Sequence, residues 1–325
     1  MFLKFLYLLA LFNFCRCSIG DKSPYYERCL LTCEKDFCGA GGDDFIDGYS
    51  QPLHLRLSLW SCRDECKYGC MWKTVDQFTA RNWRIPQFYG KWPFVRIFGI
   101  QEPASVVFSL LNLYVHIKMI QKFRKVVRPD SPLFWLWHVF CLICCHAWLW
   151  SSAFHARDTP FTELMDYACA FSIILVNCYV MLIRTLRGIL PRFVATGLSV
   201  FFLAFFANHS VYLGTGDFDY GYNMELNVLI GTFTAISWFS WSVYNKDRQP
   251  YVWKCAIYVS LTGLVLLLEV LDRPPFFYLF DTHSLWHLAT APLVVLIYSF
   301  AIDDCHYLRK IELEQVKDDL KSKIE

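Results

Sequence analysis

Charge is scarce in this sequence. Lys, Arg, Asp and Glu make up 18% of the 325 residues, against about 25% in a soluble domain. Neither sign is in excess, since 31 basic and 29 acidic residues leave a net charge of +2. That balance excludes nucleic-acid binding through a basic face, because no cationic surplus exists to meet phosphate. With 55% hydrophobic residues the chain is not a disordered one either. What is abundant is aromatic and apolar: 29 Phe, 18 Tyr, 12 Trp and 15 Cys. This is the composition of a membrane protein, and the distribution of the apolar residues agrees with it.

Residues 1–17, MFLKFLYLLALFNFCRC, carry one early Lys and an apolar run of about a dozen residues, too short to span a bilayer and right for a signal-peptide core. Small residues fit cleavage after Cys17, with Gly20 as the alternative site and an uncleaved anchor as the competing reading. About 80 residues without a spanning run follow. Seven apolar segments then come at approximately 99–118, 133–153, 164–183, 193–213, 223–244, 252–271 and 283–301, each near the ~20 residues a bilayer needs. The sequence thus predicts an all-α membrane protein: a seven-transmembrane-helix bundle over residues 99–301, preceded by a small disulfide-rich luminal domain over 18–98 and followed by a charged cytosolic tail over 302–325.

Loop charge sets the orientation, because cytosolic loops collect Lys and Arg. Three alternate loops hold Lys118, Lys122, Arg124, Lys125 and Arg128, then Arg184, Arg187 and Arg192, then Lys246, Arg248 and Lys254. The opposite loops hold only Arg157 and Arg273, and gather Asp158, Glu163, Asp217, Asp219, Asp272 and Asp281 instead. The N-terminus is therefore expected in the lumen and the C-terminus in the cytosol. The tail reads as a short exposed helix ending Lys321-Ser322-Lys323-Ile324-Glu325. Lys321 and Lys323 match the K-x-K-x-x pattern recognised by coats of the early secretory pathway.

The N-terminal domain holds Cys29, Cys33, Cys38, Cys62, Cys66 and Cys70. An even number in an oxidising compartment implies three disulfides, and six cysteines allow fifteen connectivities. Spacings of four and five place each group of three on one helical face. Two such helices packed antiparallel, with Gly39–Asp47 as the turn region, would pair Cys29–Cys70, Cys33–Cys66 and Cys38–Cys62. A zinc cluster is the competing reading, although metal pairs more often use C-x-x-C. Cys141, Cys144, Cys145, Cys169 and Cys178 fall within spans and read as small packing residues.

Ionisable residues at span ends are the best functional clues in such a chain. Ser151 and His155 stand four apart at the end of the second span, and His283 and His287 four apart at the start of the seventh. Residues four apart share a helical face. Asp166 opens the third span. The orientation taken from charge puts all five on the luminal side. Three His with an open position make a catalytic zinc set, in which the ion would activate water near neutral pH. Asp166 would orient a His or take the proton, and Ser151 would donate to a developing oxyanion. His138 and His146 read as packing or hydrogen-bonding residues, His146 being near enough to support a ligand. Asn208-His209-Ser210 is a formal glycosylation sequon, placed against the end of the fourth span.

This constellation resembles the CREST superfamily of seven-span membrane hydrolases, which includes alkaline ceramidases. The segments CRDECKYGCMW (Cys62–Trp72), PQFYGKWPF (Pro86–Phe94), QEPAS (Gln101–Ser105), FHARDTPFTELMDY (Phe154–Tyr167) and FDYGYN (Phe218–Asn223) resemble the Per-one-like family more narrowly. The resemblance runs from about residue 20 to 308. It implies zinc at His155, His283 and His287 with Ser151 and Asp166 in support. It also implies fatty-acid remodelling of GPI-anchored proteins in the Golgi apparatus or endoplasmic reticulum, by hydrolysis of the unsaturated sn-2 acyl chain to a lyso-GPI intermediate. The rival functions are a seven-span receptor, a ceramidase, and a non-catalytic sorting or chaperone factor for GPI-anchored proteins.

Overall fold

The computed structural model describes residues 18–48 and 50–323. The expected signal peptide, 1–17, and the last two residues of the K-x-K-x-x pattern lie outside the described residues. Among those described there is no strand, only four isolated bridges between residues three to seven apart. The helices are α1 (Pro24–Phe37), α2 (Leu53–Leu57), α3 (Cys62–Ala80), α4 (Pro103–Val126), α5 (Phe134–Ala156), α6 (Pro160–Thr185), α7 (Arg192–Gly214), α8 (Tyr220–Asn245), α9 (Trp253–Val270) and α10 (Thr282–Lys321). The chain divides into two compact units. Among the described residues, one comprises 18–48, 50–104, 155–157 and 272–282; the other comprises 105–154, 158–271 and 283–323.

The first unit is built on the antiparallel pair α1 and α3. Ser23 caps α1 and Pro24 follows it, where the missing N–H removes no helical hydrogen bond. Ser61 and Asp64 form a reciprocal capping box that starts α3. Disulfides join Cys29–Cys70, Cys33–Cys66 and Cys38–Cys62, with Cα–Cα distances of 5.6, 5.7 and 5.6 Å. The ladder expected from the four-residue spacing is the one that forms, and the connection between the two helices runs beyond the expected turn region to take in α2. A unit of this size buries too little apolar surface to hold itself without such cross-links. Its small core gathers Tyr26, Val75 and Phe88 around the Cys29–Cys70 bridge.

The second unit holds the seven helices long and apolar enough to cross a membrane: α4 to α8, α9 with the 3-10 turn Pro250–Val252 that leads into it, and α10. The chain is a multi-pass membrane protein. Between 39% and 50% of the apolar stretch is buried in α4, α5, α6 and α10, but only 6% to 17% in α7, α8 and α9. The first four are therefore the interior helices, and the others leave side chains such as Phe201, Leu203, Leu229 and Leu264 to the lipid. The core centres on Phe123, Trp137, Phe140, Trp238, Tyr298 and Phe300. Cys141, Cys144 and Cys178 are buried within it as free thiols, the packing role read for the span cysteines, and Cys255 and Cys305 are buried there as well.

Two boundaries differ from expectation. The first span begins at Pro103, because a tight turn with Ile97 bridged to Ile100 and Gly99 at φ +83° occupies the residues before it. The segment after residue 301 is not a separate exposed helix: α10 runs 40 residues without a break. Asp304, Cys305 and Leu308 are buried, and Asp304 is paired with Arg184 of α6. That ion pair ties the first turns of the expected tail to the bundle, while Lys321 and Lys323 remain exposed.

Candidate functional site

His283 and His287 lie on adjacent turns at the start of α10, which places both imidazoles on one face. Their Nε2 atoms stand 2.9 Å apart. Each ring is held through its other nitrogen. His283 Nδ1 lies 2.6 Å from Glu269 Oε2, and His287 Nδ1 lies 3.0 Å from Ser109 Oγ. Ser109 Oγ is also 3.2 Å from Ser151 Oγ, so one hydroxyl of α4 links Ser151 to His287. Asn112 Nδ2, one turn further along α4, donates to the His287 carbonyl at 2.7 Å. Ser109, Asn112 and Ser284 are fully buried, and Trp148 and Trp286 pack their rings against His287.

His155 belongs to the first unit, one residue from the end of α5 and one turn beyond Ser151 on that helix. Its Nδ1 donates to Glu102 Oε2 at 2.7 Å, and Lys91 Nζ donates to the other Glu102 oxygen at 3.0 Å. Burial alone would raise the Glu102 carboxyl, but Lys91 and His155 outweigh it and hold it well below the usual carboxylate range. Glu102 therefore faces His155 as an anion.

The three histidines share one pattern: Nδ1 is engaged by an oxygen of the chain. A carboxylate on Nδ1–H fixes the tautomer, raises the basicity of the ring and assigns ligation to Nε2. The Glu269 carboxylate leaves His283 Nε2 as a lone pair, whereas the Ser109 hydroxyl can accept from or donate to His287 Nδ1. Where Ser109 accepts, two Nε2 lone pairs face one another at 2.9 Å and call for a cation between them. His283 and His287 belong to a candidate metal-binding group, and this donor chemistry fits zinc. Cys38, Cys62 and Cys66 form a second such group by position, but all three sulfurs are in disulfides and supply no thiolate.

Asp166 is half-buried in the second turn of α6, whose start is capped by Thr159. His138 bonds the Phe134 carbonyl at 2.8 Å and packs among Phe123, Phe134 and Trp135, as a packing residue does. His146 pairs with Cys169 Sγ at 3.4 Å and accepts from Trp150 Nε1 at 3.1 Å, so its partners are these two and not one of the three paired histidines.

Sequence reasoning missed Glu102, Glu269 and Ser109. Glu269 had a signal: it is the one acidic residue within the expected sixth span, and a carboxylate in a span asks for a partner. Glu102 was masked by its place beside a helix start, where an acid also serves the helix dipole. Ser109 had none, because serines satisfy themselves within helices as often as across them.

The sequence matches the model of the Per1-like family over residues 52–305. It is 46% identical to a Drosophila melanogaster protein named post-GPI attachment to proteins factor 3, over 90% of this chain and 91% of that one. It is 40% identical to the human protein named GPI-specific phospholipase A2-like PGAP3, over 92% of this chain and 93% of that one. The zebrafish protein of the same name, from Danio rerio, is 42% identical over 92% and 94%. No solved structure matches. A family match across most of the helical bundle and such identity over nine-tenths of the chain place it plainly: this protein belongs to the Per1-like family.

Proposed function

We propose that this protein remodels GPI anchors in membranes of the Golgi apparatus or endoplasmic reticulum, by hydrolysing the sn-2 acyl ester of GPI-anchored proteins. The names of its relatives support the substrate class. The observation that carries the chemistry is the engagement of Nδ1 in His155 and His283 by carboxylates, which reserves Nε2 of both rings for an ion, with Ser109 holding the His287 ring.

Zinc, when bound there, would act as a Lewis acid and lower the pKa of a bound water toward neutrality. The residues of the chain do the rest. Glu102, Glu269 and Ser109 hold the three rings in their ligating tautomers. Ser151 donates to the oxygen on which charge develops as the ester carbon turns tetrahedral. Asp166 accepts the proton that water gives up and returns it to the leaving lyso-lipid alkoxide. Trp148 and Trp286 border His287 with apolar surface suited to an acyl chain.

The orientation from loop charge puts the histidines on the luminal side. There the ester of a lipid in the luminal leaflet lies near the headgroup boundary, level with span ends. The exposed Lys321 and Lys323 at the other end suit retrieval by cytosolic coats.

The test is incubation of purified protein with a GPI anchor bearing a labelled sn-2 chain. Release of label that stops on zinc chelation and in His283→Ala is expected. A well-folded wild type that releases none would leave a sorting or chaperone role instead.

A further inference from the structure

Trp60 is clamped between two guanidinium groups. Arg96 Cζ lies 3.3 Å from the centre of its ring and Arg157 Cζ lies 3.8 Å from it. Each arginine is also paired with an acid at the start of α3: Arg96 Nη1 with Glu65 at 2.7 Å, and Arg157 Nη2 with Asp64 at 2.6 Å. The indole N–H donates to the Gly99 carbonyl at 2.8 Å, and Trp60 is 5% exposed. A guanidinium on the face of Trp is the most favourable cation–π pair, and more so when desolvated.

Arg157 is the last residue of the segment 155–157, which belongs to the Cys-rich unit. The other two residues are tied to that unit as well. Gln101 N–H donates to the Ala156 carbonyl and Glu102 N–H to the His155 carbonyl, both at 3.0 Å, beside the side-chain bond from His155 to Glu102. The far end of the clamp is stiff. Asp64 and Glu65 sit in the first turn of α3, between Cys62 and Cys66, and both cysteines are disulfide-bonded to the α1 side.

His155 is one residue from the end of its helix. Helix ends fray, and the last turn lacks the hydrogen bonds that hold the interior. A ligand must be held to within about 0.5 Å of its working position. A histidine at a loose helix end would not meet that requirement.

We infer that Trp60 and Arg157 are positioning residues for His155, and that the disulfide-stapled unit exists in part to fasten this one histidine. The inference rests on His155 being a zinc ligand. It assigns a catalytic consequence to residues that touch neither metal nor substrate, and makes zinc retention depend on the integrity of the Cys-rich unit.

The experiment compares the full-length wild type with Trp60→Ala, Trp60→Phe, Arg157→Lys and His155→Ala. Zinc retention against a graded chelator is read together with amide hydrogen exchange at Gln101 and Glu102 and a count of free thiols. Trp60→Ala and Arg157→Lys are expected to release zinc at about 10–100-fold lower chelator strength, the usual effect of losing a ligand's support. Exchange at Gln101 and Glu102 should quicken in both while the six luminal cysteines stay paired. Trp60→Phe keeps a face for both guanidiniums and should recover most of the retention. Arg157→Lys keeps the test intact where thiol counts show Trp60→Ala misfolded. Wild-type zinc retention and exchange in Trp60→Ala and Arg157→Lys, with zinc lost from His155→Ala, would overturn the positioning role alone. Full zinc retention by His155→Ala would overturn the zinc reading itself, and the role with it.

Discussion

Glu269 Oε2 and His283 Nδ1 lie 2.6 Å apart, joining a carboxylate near the end of α9 to the first histidine of α10. In the proposed zinc site the carboxylate would make His283 a better ligand by drawing on its Nδ1 proton. Glu269→Gln keeps the shape and removes the charge. We expect it to weaken zinc binding about 10–100-fold, the range found for such outer partners of metal ligands. Competition with a chelator of known affinity measures this. Unchanged affinity would mean that Glu269 serves packing and not the ion.

A second buried pair makes an opposite kind of prediction. Arg184 Nε donates to both oxygens of Asp304, at 2.8 and 2.7 Å, and its Nη2 to Gln249 at 2.9 Å. Tyr251 OH donates to Asp304 at 2.7 Å. The side chains of Arg184 and Asp304 are 7% and 0% exposed. Removing one partner strands the other charge, so Asp304→Ala should lower stability by about 3–5 kcal/mol. Replacing both, as Arg184→Met with Asp304→Leu, should restore most of it. Thermal unfolding in detergent reads both variants, and a double variant as unstable as the single one would refute the account.

How much of this was legible in the sequence follows from the range of each interaction. The disulfide ladder was readable because Cys29, Cys33, Cys62, Cys66 and Cys70 obey helical spacing, and local geometry left one antiparallel pairing. The seven spans were readable because length and hydropathy are local properties. The partners of the histidines were not. Glu102 and His155 are 53 residues apart, and Ser109 and His287 are 178 apart. No periodicity encodes such pairings. The burial of Asp304 was hidden for a related reason. In the sequence it belongs to a charged tail, and only its contact with Arg184, 120 residues earlier, draws it into the bundle.

The Cys-rich unit should carry an acid-sensitive element at Asp64. Burial pushes this carboxyl up, but hydrogen bonds from Ser61 and the charge of Arg157 outweigh it and leave it below its ordinary value of 3.8. A group whose folded value is depressed contributes stability that is full above the unfolded value and is lost as pH falls through the folded one. The contribution should therefore be constant from pH 7 to about 5 and fall away below about pH 4. Comparing the protease resistance of wild type and Asp64→Asn across that range checks the sign. The difference between them should shrink only at the acid end; a difference that grows on acidification would contradict the assignment.

The sequon at Asn208 offers a check on depth. Asn208 is exposed, but it lies within α7, six residues before the helix ends at Gly214. At a rise of 1.5 Å per residue that is about 9 Å short of the end. Glycosylation acceptors are surface-loop sites, and a helical asparagine inside a span has neither the extended backbone nor the clearance. The site should be largely unmodified, with no glycosidase-sensitive mobility shift. A shift that vanishes in Asn208→Gln would place this end of α7 well outside the bilayer.

The roles proposed for Ser151 and Asp166 separate chemistry from metal binding. Ser151 is linked to His287 through Ser109, and neither Ser151 nor Asp166 is among the proposed ligands. Ser151→Ala and Asp166→Asn should therefore fold, reach their membranes and hold zinc as the wild type does. Ser151→Ala removes one donor to the developing oxyanion, a loss worth roughly 10²–10³ in rate where such a donor has been deleted. Asp166→Asn keeps the shape but cannot take a proton, and a general base is typically worth about 10²–10⁴. In cells lacking the wild type, a GPI-anchored reporter made with either variant should retain its unsaturated sn-2 chain, which lipid mass spectrometry reads directly. Ser109→Ala should behave differently, because Ser109 bonds a proposed ligand and its loss should loosen zinc as well as slow turnover. Complete remodelling by well-folded Ser151→Ala and Asp166→Asn proteins would remove both residues from the reaction and leave the protein a binding factor.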